Sequence, residues 1–238
     1  MIDFHTHILP AVDDGSKNCE ESLKMLSALK EQGVKTVVAT PHFYANDESV
    51  DSFLERRNKA YAKLKQQLDE DLELVLGAEV KYYNGISCLE DLKKLRLQES
   101  RLLLLEMPFR KWTGYDINEV IEIASGANIT VVLAHVERYI SMQKKGVFQH
   151  LLDNGVLFQC NASFFSGYLA KNKALKMVRN NQMHFIGSDC HNMTDRAPEI
   201  GKAFSAIEKK YGEDFLSDYV NYGNELFLQN KINKFSIN

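Results

Sequence analysis

Asp3-Phe4-His5-Thr6-His7 opens the chain with two imidazoles one residue apart. In an extended strand, residues i and i+2 face the same side, so His5 and His7 together offer half of a metal site. Two histidines satisfied by ordinary hydrogen bonds near a terminus have the same spacing, so the rest of the chain has to decide between the two readings. Further along, ligand-type residues recur where apolar runs stop. The run 34–40 leads into Pro41-His42, 72–77 into Ala78-Glu79, 101–105 into Glu106, 129–134 into His135, and 184–188 into Asp189-Cys190-His191. One polar residue after a strand is ordinary solvation; six such endings among seven runs are more than solvation accounts for.

Five of the seven histidines occupy these places, whereas His150 lies in a helical stretch and His184 starts a strand, both as ordinary residues. In the turn Asp13-Asp14-Gly15-Ser16, Asp14 is either a turn former or a further ligand, and Asp13 beside it competes for the same assignment. Five neutral imidazoles with the carboxylates of Asp14, Glu79, Glu106 and Asp189 are too many for one ion and suit a cluster of two or three. Mixed nitrogen and oxygen donors favour Mn²⁺, Fe²⁺ or Zn²⁺ over calcium. Three divalent ions against four carboxylates leave a surplus of about two positive charges, which matches a phosphate dianion.

The elements that must position these side chains follow from periodicity. Cys19, Leu23, Leu26 and Leu29 recur at helical spacing until Gly33, and a polar helix is expected over about 49–70, with Asp69-Glu70-Asp71 as its solvated end. Further helices are expected near 118–124, 147–154 (ending at Gly155) and 170–179, with a closing helix and a loose polar tail across 219–238. Seven strand-like runs alternating with helices argue for parallel strands joined by right-handed crossovers, more easily closed into a barrel than spread open. The expectation is therefore one α/β domain over 1–238, a distorted, TIM-barrel-like (β/α)7 barrel. The C-terminal strand ends of such a barrel converge on one face and bring residues distant in sequence together.

Composition sets the outer bounds. With 238 residues and 45% hydrophobic content the chain can bury a full core. A net charge of -3 without a long basic block gives no footprint for nucleic acid or an anionic membrane. Cys19, Cys88, Cys160 and Cys190 have no paired spacing, no signal peptide precedes Asp3, and no apolar run reaches bilayer length, so a soluble cytoplasmic protein is expected.

Taken in order, Asp-Phe-His5-Thr-His7, Thr-Pro-His42, Gly-Ala-Glu79, Leu-Glu106, Ala-His135-Val-Glu-Arg138-Tyr and Gly-Ser-Asp189-Cys-His191 resemble the PHP (polymerase and histidinol phosphatase) superfamily. With Leu-Pro-Ala-Val-Asp13-Asp14-Gly following His7, the chain is similar, from Met1 to about Pro198, to its manganese-dependent tyrosine-protein phosphatase branch of bacterial capsule and exopolysaccharide systems. The resemblance implies a first metal on His5, His7, Glu79 and Asp189, a second on Glu79, Glu106 and His135, and a third on Asp14, His42 and His191. It also implies that Arg138 and Arg196 contact phosphate. Divalent ions would acidify a water for in-line attack on phosphorus, with no protein nucleophile. A tyrosine leaves as a phenolate of ordinary pKa about 10 and needs less protonation than an alkoxide. The implied substrate is a phosphotyrosine-bearing protein, the C-terminal tail of a bacterial tyrosine kinase. On the residues alone, Arg138 has Glu137 as another partner, and Arg196 has the role of a surface cation.

The stretch 107–115 after Glu106 holds the single tryptophan, and Phe43-Tyr44 and Phe164-Phe165 follow other strand ends. These aromatics could flank a phosphotyrosine ring or pack the barrel mouth, and Arg110 and Lys111 could meet an acidic peptide. Two rival chemistries remain open. Cys190 and Arg196 have the Cys-x5-Arg spacing of thiol phosphatases, although the loop between them has no glycine to let its backbone approach a phosphate. Within the same superfamily, a small phosphoester such as histidinol phosphate, or a nucleic-acid phosphoester, is an alternative substrate. A non-enzymatic metal-binding module that docks to a kinase is the reading from another class.

Overall fold

The computed structural model describes residues 1–68, 71–126 and 128–232. Nine short strands make up the seven expected runs: β1 (Ile2–Thr6), β2 (Thr36–Ala39), β3 (His42–Phe43), β4 (Glu73–Leu76), β5 (Glu79–Lys81), β6 (Leu102–Glu106), β7 (Thr130–Leu133), β8 (Leu157–Asn161) and β9 (Phe185–Gly187). Thr40-Pro41 interrupts the second run, where proline lacks the N–H for the ladder, and Gly77-Ala78 interrupts the third. All strand pairs are parallel, in the orders β1-β2-β4 and β3-β5-β6-β7-β8-β9. The first and last strands meet through a Thr6–Cys190 bridge, with His7 N–H donating to Cys190 O (2.9 Å) and Asp189 N–H to His5 O (2.8 Å). Glycine is required at this seam, since a Cβ on Gly187 would lie 2.5 Å from His5 Cβ. The expected parallel barrel of seven staves, distorted and TIM-barrel-like, is the architecture observed.

Side-chain alternation separates two apolar layers. Phe4, Val38, Val75, Leu102, Leu104, Val132, Ala134 and Phe185 form a small cluster, with Phe4 stacked on Phe185 at 3.9 Å between centroids. Leu103 and Leu105, at the alternate positions of β6, belong instead to the larger cluster shared with the helices. Each buried Val, Leu or Phe side chain of these layers contributes about 1.5–3 kcal/mol.

The helices are α1 (Cys19–Glu31), α2 (Val50–Lys65), α3 (Gly114–Ser125), α4 (Val147–Asp153), α5 (Tyr168–Arg179), α6 (Gly201–Tyr211) and α7 (Glu213–Gln229). Asn18, Ser49 and Thr113 cap α1, α2 and α3 by accepting from backbone N–H groups of the first turn. Three expectations need correction. The β5–β6 connection contains no α-helix but two 3-10 turns, Ile86–Cys88 and Leu92–Leu95, consistent with Leu89, Leu92 and Leu95 recurring every third residue. The polar helix ends at Lys65, and Asp69-Glu70 of its expected solvated end lie outside the described residues. The closing helix expected within 219–238 is present but starts earlier, as α7 at Glu213, and carries Phe227 into the smaller cluster. The start of the expected loose tail is held: Arg101 N–H donates to Asn230 O (2.8 Å) and Ile232 N–H to Glu99 O (2.7 Å). The rest of that tail, 233–238, lies outside the described residues.

Candidate metal centre

Every strand-end residue singled out in the sequence arrives at the same mouth. His5 Nε2 and His7 Nε2 are 3.0 Å apart, and Glu79 Oε2 lies 3.2 and 3.4 Å from them. Asp189 Oδ1 is 3.6 Å from His5 Nε2 and 3.5 Å from His7 Nε2. On one flank, His135 Nε2 is 2.8 Å from Glu79 Oε1 and 3.6 Å from Glu106 Oε1. On the other, Asp14 Oδ1 is 3.5 Å from His42 Nε2 and 3.4 Å from His191 Nε2. Glu79 stands in the middle, with Oε2 also 3.0 Å from His42 Nδ1.

Local backbone geometry makes this convergence possible. His135 and Asp189 sit two residues past the ends of β7 and β9 at φ of 32° and 55°, a left-handed conformation that costs a non-glycine residue about 1–3 kcal/mol. Surrounding bonds hold it: His135 N–H donates to Gln159 Oε1 at 2.7 Å, and Asp189 N–H to His5 O. Gly15 brings the turn after β1 back onto His7, because a Cβ there would lie 2.1 Å from His7 O. That turn separates the two neighbouring aspartates. Asp13 sits behind the cluster, its Oδ2 2.7 Å from His7 Nδ1, while Asp14 faces His42 and His191 with its side chain 65% exposed.

The charges are strongly coupled. Burial disfavours the charged forms of His5 and His7, but Glu79 and Asp189 around the first and Asp13, Asp189 and Glu79 around the second outweigh it, raising both, His7 well above the usual imidazole range. The same pairings hold Glu79 and Asp189 well below the usual carboxylate range against the burial that would raise them. His135 is lowered by burial, and His191 is pushed down to about 4 by burial and then by the charge on His7. His42 Nδ1 and His191 Nε2 are buried without a hydrogen-bond partner among the described residues, though carboxylate oxygens lie nearby. Imidazole nitrogens and carboxylate oxygens converging at one mouth are the donor set a divalent cation fits.

Three groups have ligand atoms within 4.8 Å of one another: His7, Asp14, His42 and His191; His5, His7 and Asp189; and His42, Glu79 and Glu106. These groups contain eight of the nine expected residues in a grouping that differs from the one implied by resemblance; His135 is in none of them and meets the centre through Glu79 and Glu106. His7 belongs to two groups, and His42 rather than His135 joins Glu79 and Glu106.

Arg138 and Arg196 reach the centre from opposite sides of one carboxylate. Arg138 Nη2 donates to Asp189 Oδ2 (2.6 Å) and Arg196 Nη2 to Asp189 Oδ1 (2.7 Å). Arg138 therefore does not pair with Glu137, whose carboxylate accepts from Asn161 N–H (3.3 Å) and is pushed up to about 7 by burial. The sequence reading passed over three residues of this region. Gln159 Oε1 faces His5 Nδ1 (3.2 Å), Asn161 Nδ2 donates to Asp189 Oδ2 (2.7 Å), and Lys81 Nζ to Glu106 Oε2 (2.8 Å). The available signal was positional: Gln159 and Asn161 end the one run without a charged or imidazole terminus.

Of the aromatics, Phe43, Phe165 and Trp112 are buried packing residues. Tyr44 stacks on His42 (5.3 Å) and stays 38% exposed, and Phe109 stacks on His135 (6.0 Å) and stays 49% exposed. Arg110 is engaged by Asp116 through two bonds of 2.6 and 2.9 Å. Cys190 is fully buried, and its thiol is pushed up by that burial, the opposite of what a thiolate nucleophile requires.

The whole chain has close counterparts. Tyrosine-protein phosphatase CpsB of Streptococcus pneumoniae is 34% identical over 89% of this chain and 91% of its own length. Tyrosine-protein phosphatase YwqE of Bacillus subtilis is 30% identical over 97% and 92%. A solved structure from a study of YwqE from Bacillus subtilis and CpsB from Streptococcus pneumoniae, described as unique metal-dependent tyrosine phosphatases, superposes with a TM-score of 0.81 at 28% identity, covering 97% of this chain and 95% of that one. The family described as capsular polysaccharide synthesis, CpsB/CapC, matches residues 1–232, and this chain belongs to it.

Proposed function

We propose that this protein is a metal-dependent protein-tyrosine phosphatase that works as a single catalytic domain. The observation that carries the reading is the convergence of eight nitrogen- and oxygen-donor side chains, with His135 against Glu79 and Glu106 and with two arginines, at one barrel mouth. His5, His7, Asp14, His42, Glu79, Glu106, His135, Asp189 and His191 would hold two or three Mn²⁺ ions. Such ions supply Lewis acidity toward phosphoryl oxygens and lower the pKa of a water for attack on phosphorus.

The chain's own residues do the rest. Asp13 keeps the Nδ1 proton of His7 in place, leaving Nε2 as the donor toward the centre. Asn161 and the two arginines hold Asp189 in one orientation, and the remaining guanidinium N–H groups of the half-exposed arginines are free to bind phosphoryl oxygens. Tyr44 and Phe109 border the cluster at a distance suited to an aromatic leaving group. A phosphotyrosine-bearing protein is therefore the substrate, in our reading the C-terminal tail of a cytoplasmic-side bacterial tyrosine kinase. No helix among the described residues is long and apolar enough to cross a membrane.

The test is phosphate release from a phosphotyrosine peptide, with histidinol phosphate as the rival substrate, using metal-stripped protein and Mn²⁺, Fe²⁺, Zn²⁺ or Mg²⁺ returned singly. Restoration by Mn²⁺ on the peptide, with Cys190→Ser retaining most of the rate, is the expected result. Full activity without metal, or its loss in Cys190→Ser, would overturn the reading.

A further inference from the structure

Around the candidate centre the rim is divided by charge. The loop following β1 and that following β3 enclose a cleft of about 610 Å³ lined by Asp13, Asp14, Asp47 and Glu48, with Arg56 the cation among its lining residues. Arg56 is itself engaged by Glu48 and Val12 O. Across the mouth, the loops following β6 and β7 form one platform: Gln143 Nε2 donates to Arg110 O and Trp112 N–H to Gln143 Oε1, each at 2.9 Å. Lys111, Lys144 and Lys145 are exposed on that platform, and none forms an ion pair among the described residues. Arg110 adds little charge, because Asp116 neutralises it. Phe109 and Met142 are exposed on the same two loops, at 49% and 37%, and Phe109 lies against His135 of the centre.

A chain entering the centre has two ways to leave it. Over the cleft, an acidic segment meets a wall of carboxylate side chains, with Asp13 and Glu48 engaged by His7 and Arg56; over the platform it meets three ammonium groups with no ion pair among the described residues and apolar side chains on which an extended backbone can rest. We propose that the platform of Lys111, Lys144 and Lys145 with Phe109 and Met142 is a docking surface for an acidic polypeptide segment flanking the phosphorylated residue. The proposal rests on the phosphatase reading and gives it a direction. The substrate runs from the centre over the β6 and β7 loops, and small phosphoesters gain nothing from that surface.

The experiment compares the metal-loaded protein with its Lys111→Glu, Lys144→Glu, Lys145→Glu variant. Substrates are a phosphotyrosine peptide with an acidic flank, its uncharged analogue, and p-nitrophenyl phosphate. The wild type should prefer the acidic peptide by about tenfold in kcat/KM at low ionic strength, through KM, and salt should erase the preference. The variant should lose the preference and keep its rate on p-nitrophenyl phosphate. Fluorescence anisotropy of the acidic peptide carrying a non-hydrolysable phosphonate should show the same weakening. Equal use of the two peptides by the wild type, or an undiminished preference in the variant, overturns the docking surface. Inactivity toward p-nitrophenyl phosphate overturns instead the phosphatase reading, and the anisotropy comparison still decides the docking surface.

Discussion

Two histidines bracket β9, and they have opposite fates. His184 and His191 are both buried, and both have imidazoles pushed down to about 4, with burial the leading cause in each. His184 Nδ1 accepts a hydrogen bond from Phe158 N–H at 2.9 Å, inside the packing between strands and α7, with no carboxylate within ion-pairing distance among the described residues. His191 stacks on the ring of His7 at 3.8 Å between centroids, faces Asp14, and leaves Nε2 without a hydrogen bond. Burial and weakened basicity are therefore shared by a packing residue and a candidate ligand. What separates them is convergence: the imidazole of the candidate ligand lies where the lone pairs of other donors meet.

The largest effect expected from this contrast is on activity. His7→Ala removes a donor shared by two of the groups at the mouth and should lower phosphotyrosine-peptide turnover by about a thousandfold or more, while His184→Gln should leave it within a few-fold. Comparable losses in the two variants would erase the distinction between the ends of β9.

A smaller effect is expected from the residue behind the cluster. Asp13→Ala leaves every proposed ligand in place but frees the His7 ring, and should weaken metal affinity by about 10–100-fold, measured by competition with a chromophoric chelator. Unchanged affinity would mean that packing alone orients His7.

The last effect is on stability, and it emerges only as the pH falls. His184 is lowered from 6.5 to about 4 in the fold, so the neutral ring is favoured there, while the unfolded chain takes up its proton near the ordinary value. Its contribution is complete above pH 6.5 and is lost as the pH falls toward 4, about 3 kcal/mol over that window. Urea denaturation of metal-free protein at pH 7 and at pH 4.5 should therefore show a shallower loss for His184→Gln than for the wild type. Parallel losses would show that His184 does not titrate differently on unfolding.

The linear order of apolar runs and their terminal residues was enough to recognise a seven-stave parallel barrel and to single out the strand-end residues that meet at its mouth, whereas Asp14 was assigned only through the resemblance. That legibility has a physical source. A buried parallel strand reads as an unbroken apolar run, so the first ligand-type side chain after it stands out. Supporting residues carried no such mark. Gln159, Asn161 and Lys81 are residue types common at strand ends for solvation, and only their distances to His5, Asp189 and Glu106 give them a role. The β5–β6 connection was hidden for another reason. A leucine every third or fourth residue suits an α-helix and a 3-10 turn alike until neighbouring elements choose between them.

What the sequence determined by itself was therefore the inventory: which residues end strands, the parallel α/β class those strands imply, and the family order of motifs. What only the tertiary structure decided was who faces whom. Asp13 and Asp14 are adjacent in the chain and chemically identical, yet one holds His7 from behind and the other meets His42 and His191 in front. Arg138 chooses Asp189 over the neighbouring Glu137, and Arg110 spends its charge on Asp116, while Lys111 beside it has no ion pair among the described residues. These choices depend on backbone turns such as that at Gly15 and on contacts across the barrel between residues far apart in the chain, and a one-dimensional pattern records neither.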